Sequence, residues 1–395
     1  MRILQVCNKI PYPPKDGGSL AMHQLSESMS RMGHEVKVLA MDTHKQQFDE
    51  ILWDEAYLKK FRPEKVFMDT RVKALDAILN LFSDKSYHIE RFYSQEFENR
   101  LEQILKLEKF DIIQLESIYV AAYLPVIRKQ SKAKVVLRAH NIEHLIWKRL
   151  AEGATNTLKR KYLSLLAERL KVYEDNILKD FDAIAAITPG DASYFRSAGV
   201  TAPVVHIPFG IEMKPVRNAP INRNALFFIG AMDWIPNQET IRWILDNLWD
   251  KVHALHPEVF FHIAGRKMPR WMAELNRAGI VITGEVPDAE EFMADKSILL
   301  APFFSGGGMR VKFIEAMSQK KTVITTSIGA EGIAGRDGEH FLLAETFPGM
   351  MAILDKCLRN PDFTNDIGAN ARSLVADKYD SKRIAEKLGA LYKGL

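Results

Sequence analysis

The stretch Ser305–Met317, SGGGMRVKFIEAM, sets three glycines ahead of Arg310 and Lys312 and places Glu315 inside an apolar pattern. Val311, Ile314 and Met317, with Phe313 and Ala316 beside them, recur at helical spacing, so the glycines form the turn that enters a helix. The first turn of a helix carries a partial positive charge and unpaired N–H groups, and it favours Asp or Glu. Two cations there break that preference. An anion seated on the helix end resolves the conflict. Glycines let backbone approach closely, and the N–H groups, Arg310 and Lys312 then converge on one negative group, a phosphate or diphosphate. The competing reading is a solvated turn with a Lys312–Glu315 pair, worth about 0.2–0.5 kcal/mol.

Two further groupings could do chemistry. The stretch HNIEH satisfies the H-x-x-E-H spacing of a zinc site, with His140 and His144 four residues apart. Its position after a strand, in an alternating strand and helix context, disfavours metalloprotease chemistry and leaves a helix N-terminal histidine as the plainer reading. Asp180 and Asp182 form DFD, which resembles a metal-binding pair, but they precede their strand and read as a helix-to-strand junction. No metal is expected.

These residues need strands and helices to hold them. The first half alternates RILQVC, a helix-like GGSLAMHQLSESMSRMG, HEVKVLAM, a mostly helical stretch near 70–108, FDIIQLE, a helix, KVVLRAH, a long helix near 158–179, and FDAIAAIT. A second series runs through ALFFIGAM, VFFHIAG, IVITGEV, SILLAPF and KTVITT, each followed by helix or loop. Strand and helix in turn imply parallel sheets with crossover helices. Two series imply an α/β chain of two doubly wound, Rossmann-like domains. We place the first at 1–206, a proline-bearing linker at 207–224, the second at 225–380, and a closing helix at 381–395 that packs back toward the first. Ligands of such sheets bind beyond the carboxyl ends of the strands, here in a cleft between two facing domains.

The whole chain fits this picture. Its 395 residues, 47% hydrophobic and 26% charged, suffice for two cores. Two cysteines, Cys7 and Cys357, exclude a disulfide framework and suit a reducing, cytoplasmic compartment. The first residues read as a strand and not as a signal peptide, and no apolar run is long enough to span a membrane. Net charge is only +4, yet residues 128–171 hold twelve Lys and Arg against three Glu, a local +9 that leaves the remainder near −5. That concentration suggests an anionic partner, with a solvated helix face as the duller alternative. The stripe Tyr162, Leu166, Leu170, Tyr173 and Ile177 is expected to face the core, and the basic face beside it could rest peripherally on anionic lipid.

The paired Gly17 and Gly18 after the first strand, HN at 140–141, IGAMDWIPNQETI, GEVPD at 284–288, and APFFSGGGMRVKFIEAMSQKKTVITTSIGAEGI occur in an order that resembles the GT-B glycosyltransferases of family 4. The resemblance spans nearly the whole chain. It implies a retaining enzyme that moves a hexose from a UDP- or GDP-sugar to a hydroxyl of a glycan or lipid-linked acceptor in polysaccharide biosynthesis, without a cofactor and without nucleic acid. It implies that Glu315 meets the donor ribose, that Arg310 and Lys312 hold the diphosphate in catalysis, and that His140 lines the site near the donor sugar. Gly17, Gly18, Asn237, Arg266, Val286, Gly306, Gly307, Gly308 and Met309 complete the expected donor site. The family pattern has another glutamate eight residues before the second; Gly307 stands there. Its absence keeps open a non-catalytic partner that binds sugar nucleotides, and a GT-B nucleotide-sugar epimerase or phosphorylase is the alternative enzyme reading.

Overall fold

The computed structural model describes residues 1–44, 53–73, 76, 79–217 and 219–395. The chain divides into two compact units: residues 1–210 with 384–395, and residues 211–383. The strands of the first are β1 (Arg2–Cys7), β2 (Glu35–Thr43), β3 (Glu64–Met68), β4 (Ile112–Glu116), β5 (Lys134–Ala139), β6 (Ala183–Ala186) and β7 (Val204–His206). They form one parallel sheet in the order β3-β2-β1-β4-β5-β6-β7. The second unit holds β8 (Asn222–Ile229), β9 (Phe260–Ala264), β10 (Ile280–Gly284), β11 (Lys296–Ala301), β12 (Thr322–Thr325) and β13 (Leu342–Leu343). These are parallel in the order β10-β9-β8-β11-β12-β13.

Both sheets are buried on two faces, which is why their strands read as nearly unbroken apolar runs. Phe227, Phe228, Ile298, Leu299, Leu300, Val323 and Ile324 have almost no exposed surface. Both sheets also reverse their winding once, between β1 and β4 and between β8 and β11, which opens a crevice at the carboxyl ends of those strands.

Several expectations shift. β8 starts at Asn222 and so takes residues from the expected 207–224 linker, because Asn222 pairs with Lys296 of β11; residue 218 of that linker lies outside the described residues. Of the expected helix near 70–108, Tyr87–Glu90 and Gln95–Leu107 are helical, and residues 74, 75, 77 and 78 lie outside the described residues. The long helix runs Thr157–Ile177, with Leu166 and Leu170 buried and Tyr162, Tyr173 and Ile177 half-buried. Part of the local +9 is spent internally. Arg138 is buried in β5, Arg128 pairs with Asp182, Lys171 with Asp175, and Arg169 donates to the carbonyls of Asn80 and Leu81.

The closing helix Ser381–Lys393 delivers Ile384, Ala385, Leu388 and Tyr392 into the core of the first unit, beside Ile3, Met22, Val38 and Ile112. Among the described residues no helix is long and apolar enough to cross a membrane.

Candidate functional site

In the second unit, chemistry gathers where β8 and β11 end. β8 runs into Gly230, Ala231 and the helix Ile235–Trp243; β11 runs through Pro302 and Phe303 into the glycine loop and the helix Val311–Ser318. Gly306 and Gly308 take φ of +87° and +78°, a left-handed conformation that side-chain-bearing residues adopt at a cost. A Cβ on Gly306 would lie 3.0 Å from the Trp234 ring. The loop therefore needs glycine for its turn and for its contact with the neighbouring helix.

Arg310 does not point outward as the charge pattern suggested. It is 4% exposed, its guanidinium donates to the carbonyls of Ser305, Gly307 and Gly308, and it lies 4.8 Å from the Phe303 ring centroid and 5.2 Å from that of Trp234. The fork of donors on a planar cation suits several carbonyls of one tight loop, and the aromatic rings hold it there. Carbonyl and N–H point in opposite directions across each planar peptide. Drawing the carbonyls of residues 305, 307 and 308 toward Arg310 turns the N–H groups of Gly306, Gly308 and Met309 away from it. Successive amides turned one way form an anion-binding concavity. The helix that follows begins without a side-chain cap on its first N–H groups.

Lys312 supplies the charge beside this loop. Its ammonium donates to Asn237 Oδ1 at 2.7 Å and lies 4.4 Å from the Phe228 ring centroid and 5.2 Å from that of Phe303. Part of its surface remains open, although protein atoms crowd the group from most sides. Burial, with the neighbouring charge of Arg310, pushes the Lys312 amine down to about 7, against the pull of Glu315. One helical turn on, burial and the charge of Glu290 push the Glu315 carboxyl up to about 7, opposed by Lys312 and Lys214.

The remaining expected donor residues occupy different settings. Asn237 is 2% exposed, and its amide is used at both ends: Oδ1 accepts from Lys312 and Nδ2 donates to the Ala231 carbonyl at 2.7 Å. Arg266 follows β9, half-buried, with its carbonyl accepting from Met232 N at 2.9 Å. Val286 lies half-exposed in the loop after β10. Ser305 donates to Glu239, fastening the glycine loop to the helix Ile235–Trp243.

The other expected residues belong to the first unit. Gly17 and Gly18 are not a free turn; they open the helix Gly17–Arg31, whose capping box joins Asp16 and Ser19. His140 stands just after β5 and its Nε2 lies 2.7 Å from Glu116 Oε2. Burial disfavours the Glu116 carboxylate, yet the hydrogen bond and charge of His140, the charge of Arg138 and the Gln5 amide more than offset this and hold the group below its usual range. An ionised carboxylate only accepts, so Nε2 of His140 carries the hydrogen. Glu116 is 0% exposed and belongs to a polar chain the sequence reading missed: Ser26 donates to Gln5, Gln5 and Gln114 donate to Glu116, and Tyr392 donates to Gln114. Polar residues inside otherwise apolar strands, at positions 5, 114, 116 and 138, are the signal that could have revealed it.

HNIEH does not form the helical histidine pair that its spacing suggested. The helix begins only at Glu143, so His140 and His144 do not share a helix face. His144 pairs instead with Glu174 at 2.6 Å, and Glu174 also accepts from the N–H groups of Glu143 and His144, capping that helix from a neighbouring one. Among the described residues no three His, Cys, Asp or Glu side chains converge as metal ligands. Asp182 accepts from Val135 N and Arg128, a junction role that ties β5 to β6.

Family models match most of the chain: "Glycosyltransferase Family 4" over residues 15–214 and "Glycosyl transferases group 1" over residues 223–360. A Klebsiella pneumoniae protein described as an uncharacterized 44.6 kDa protein in a cps region is 26% identical, with 97% of each chain covered. Among solved structures, Anabaena HepE in complex with UDP has a TM-score of 0.69 at 13% identity, with both chains fully covered. Sucrose-phosphate synthase from Thermosynechococcus elongatus has a TM-score of 0.72 at 15% identity, covering 100% of this chain and 99% of that one.

The raised Glu315 carboxyl has a stability consequence. A carboxyl that binds its proton more tightly when folded contributes stability that is complete below about pH 4.5 and is lost as pH rises through about 7. Glu315→Gln removes that loss. In urea unfolding, the parent is expected to lose on the order of 2 kcal/mol more than the variant between pH 4.5 and 7. Parallel pH curves would contradict the assignment.

Proposed function

The chain belongs to glycosyltransferase family 4, and from that premise we propose that it moves a hexose, with retention, from a UDP- or GDP-sugar to a hydroxyl of a glycan or lipid-linked acceptor. The observation that carries the donor assignment is the glycine loop at the end of β11, with amides turned outward beside the Lys312 ammonium. The UDP bound to Anabaena HepE supports a nucleoside diphosphate at such a fold, and the cps-region relative fits a role in polysaccharide assembly. In this reading the first unit takes the acceptor side.

The loop amides and Lys312 hold the diphosphate, and Glu315 accepts from ribose hydroxyls. Arg310 acts one step removed, by fixing the loop. The bond from the anomeric carbon to the phosphate oxygen breaks as the acceptor oxygen bonds to the same face. The leaving phosphate oxygen takes the acceptor proton, since Gly307 offers no carboxylate to do so. Charge grows on the departing diphosphate while the sugar gains oxocarbenium character, so electrostatic stabilisation by Lys312 and the amides is the main contribution of this site.

Titration calorimetry at pH 6, where Lys312 is largely protonated, tests the donor site. Lys312→Met is expected to weaken UDP or GDP binding about 10- to 100-fold, the equivalent of roughly 1.5–3 kcal/mol, and to leave the nucleoside within about threefold. Equal losses for nucleoside and diphosphate would rule out phosphate binding here. Release of free nucleoside diphosphate only with an acceptor separates a transferase from a binding protein, and an epimerised sugar nucleotide separates an epimerase.

The same transfer assay addresses metal. Carrying the diphosphate charge on a lysine and amides implies turnover without a divalent ion. Activity should survive a chelator; complete loss, restored by manganese, would contradict this.

On the segment 128–171, Lys129, Lys132, Lys148, Lys159 and Lys161 are among the exposed cations, and Leu158 is exposed as well. We infer peripheral contact with anionic lipid, each cation near the surface contributing about 1 kcal/mol. Co-sedimentation with vesicles containing anionic lipid should weaken as salt rises. Equal binding to neutral vesicles would remove the electrostatic basis.

A further inference from the structure

Asn237 was expected to touch the donor, but it has almost no surface with which to do so. What it does touch is Lys312. Nδ2 fastens the amide to the Ala231 carbonyl at 2.7 Å, which fixes which end of the side chain is which, and Oδ1 then meets the Lys312 ammonium at 2.7 Å. From the other side, Gly230 leaves the space that the ammonium occupies: a Cβ there would lie 2.5 Å from Lys312 Nζ and 2.8 Å from Asn237 Nδ2. Phe228 and Phe303 close the apolar walls.

We propose that Asn237 and Gly230 form a clamp that positions the Lys312 ammonium for the donor diphosphate, and that the neutral amide of Asn237 makes the grip of this site pH-dependent near neutrality. Asn237 is a positioning residue, acting through Lys312. The proposal rests on the donor site placed at the glycine loop.

The physical argument is one of paired and unpaired charge. Among the described residues, the charged groups acting on Lys312 are Arg310 and Glu315, both on its own helix segment; the helix Ile235–Trp243 contributes the neutral Asn237, and the ends of β8 and β11 contribute Gly230, Phe228 and Phe303. An amide oxygen satisfies one N–H of the ammonium without adding a countercharge. Burial and Arg310 therefore ease the proton off near neutral pH. An arriving diphosphate restores the missing countercharge and draws the proton back. A carboxylate at position 237 would hold the proton to higher pH and already neutralise the charge the donor needs; an apolar side chain would surrender it earlier.

The test uses the full chain and UDP-glucose, a diphosphate diester whose own charge stays constant over the range studied. Calorimetry from pH 5.5 to 9.5, in two buffers of different ionisation enthalpy, counts protons taken up on binding. For the parent, affinity should be level below about pH 6 and fall about tenfold per unit above about 7.5, with uptake approaching one proton. Asn237→Asp should move that midpoint up by about a unit and weaken binding at pH 6; Asn237→Leu should move it down. Gly230→Ala should weaken binding at least tenfold at every pH, with uridine binding retained. A purely structural role for Asn237 predicts lower melting temperatures and an unmoved midpoint, and that result overturns the proposal. If the parent binds no sugar nucleotide, the donor reading itself fails. The clamp is then judged by NMR titration of lysine labelled at the ε-carbon in the free protein. A Lys312 midpoint that does not differ between parent and the isosteric Asn237→Asp sinks it as well.

Discussion

A methyl group on Gly265 would sit 1.8 Å from the carbonyl oxygen of Gly230. That contact is the constraint on which the second unit's site depends. β8 and β9 end side by side, and their exits can lie this close only because Gly265 carries no side chain. Gly230 N then bonds to Ala264 O, and Met232 N to Arg266 O, so the chain leaving β8 is held against the chain leaving β9 for several residues beyond the sheet. This hold places the helix Ile235–Trp243, and with it Asn237 and Trp234, against the glycine loop. An anion site made of backbone amides, as proposed for the glycine loop, needs such rigidity, since amides cannot swing toward a ligand as side chains can.

The first unit solves a different problem. It buries an acid, Glu116, and a base, Arg138, on neighbouring strands at its centre. Such burial is costly unless each group is satisfied. Glu116 accepts from Gln5, Gln114 and His140, and Arg138 donates to the carbonyls of Ile207 and Pro208. The network therefore fixes the register of β1, β4 and β5 and aims His140 from a rigid base.

Much of the architecture was legible because buried parallel strands are continuous apolar runs, and because glycines followed by helical spacing mark a strand-to-helix turn. The short β3 and β7 escaped notice: Glu64–Met68 carries two charges in five residues, and Val204–His206 has only three. The presence of cations at Arg310 and Lys312 was legible too, but their directions were not. Charge pattern records that a cation is near a helix end, whereas the rotamer that turns Arg310 inward follows from its contacts with Phe303 and with Trp234, the latter distant in sequence. Similarly, HNIEH contains the letters of a zinc site, and only the helix start at Glu143 separates its two histidines.

The hydroxyl of Tyr392 donates to Gln114, 278 residues earlier in the chain, and its neighbours Leu388 and Ala385 fill the same core as Ile3. Protein synthesis runs from the amino end, so the first unit is translated almost whole and then waits while the entire second unit is made. During that interval one face of its core lacks the helix that covers it. Folding of the first unit thus cannot be completed in the order in which it is made, and its last step belongs to a chain whose second unit has already been synthesised.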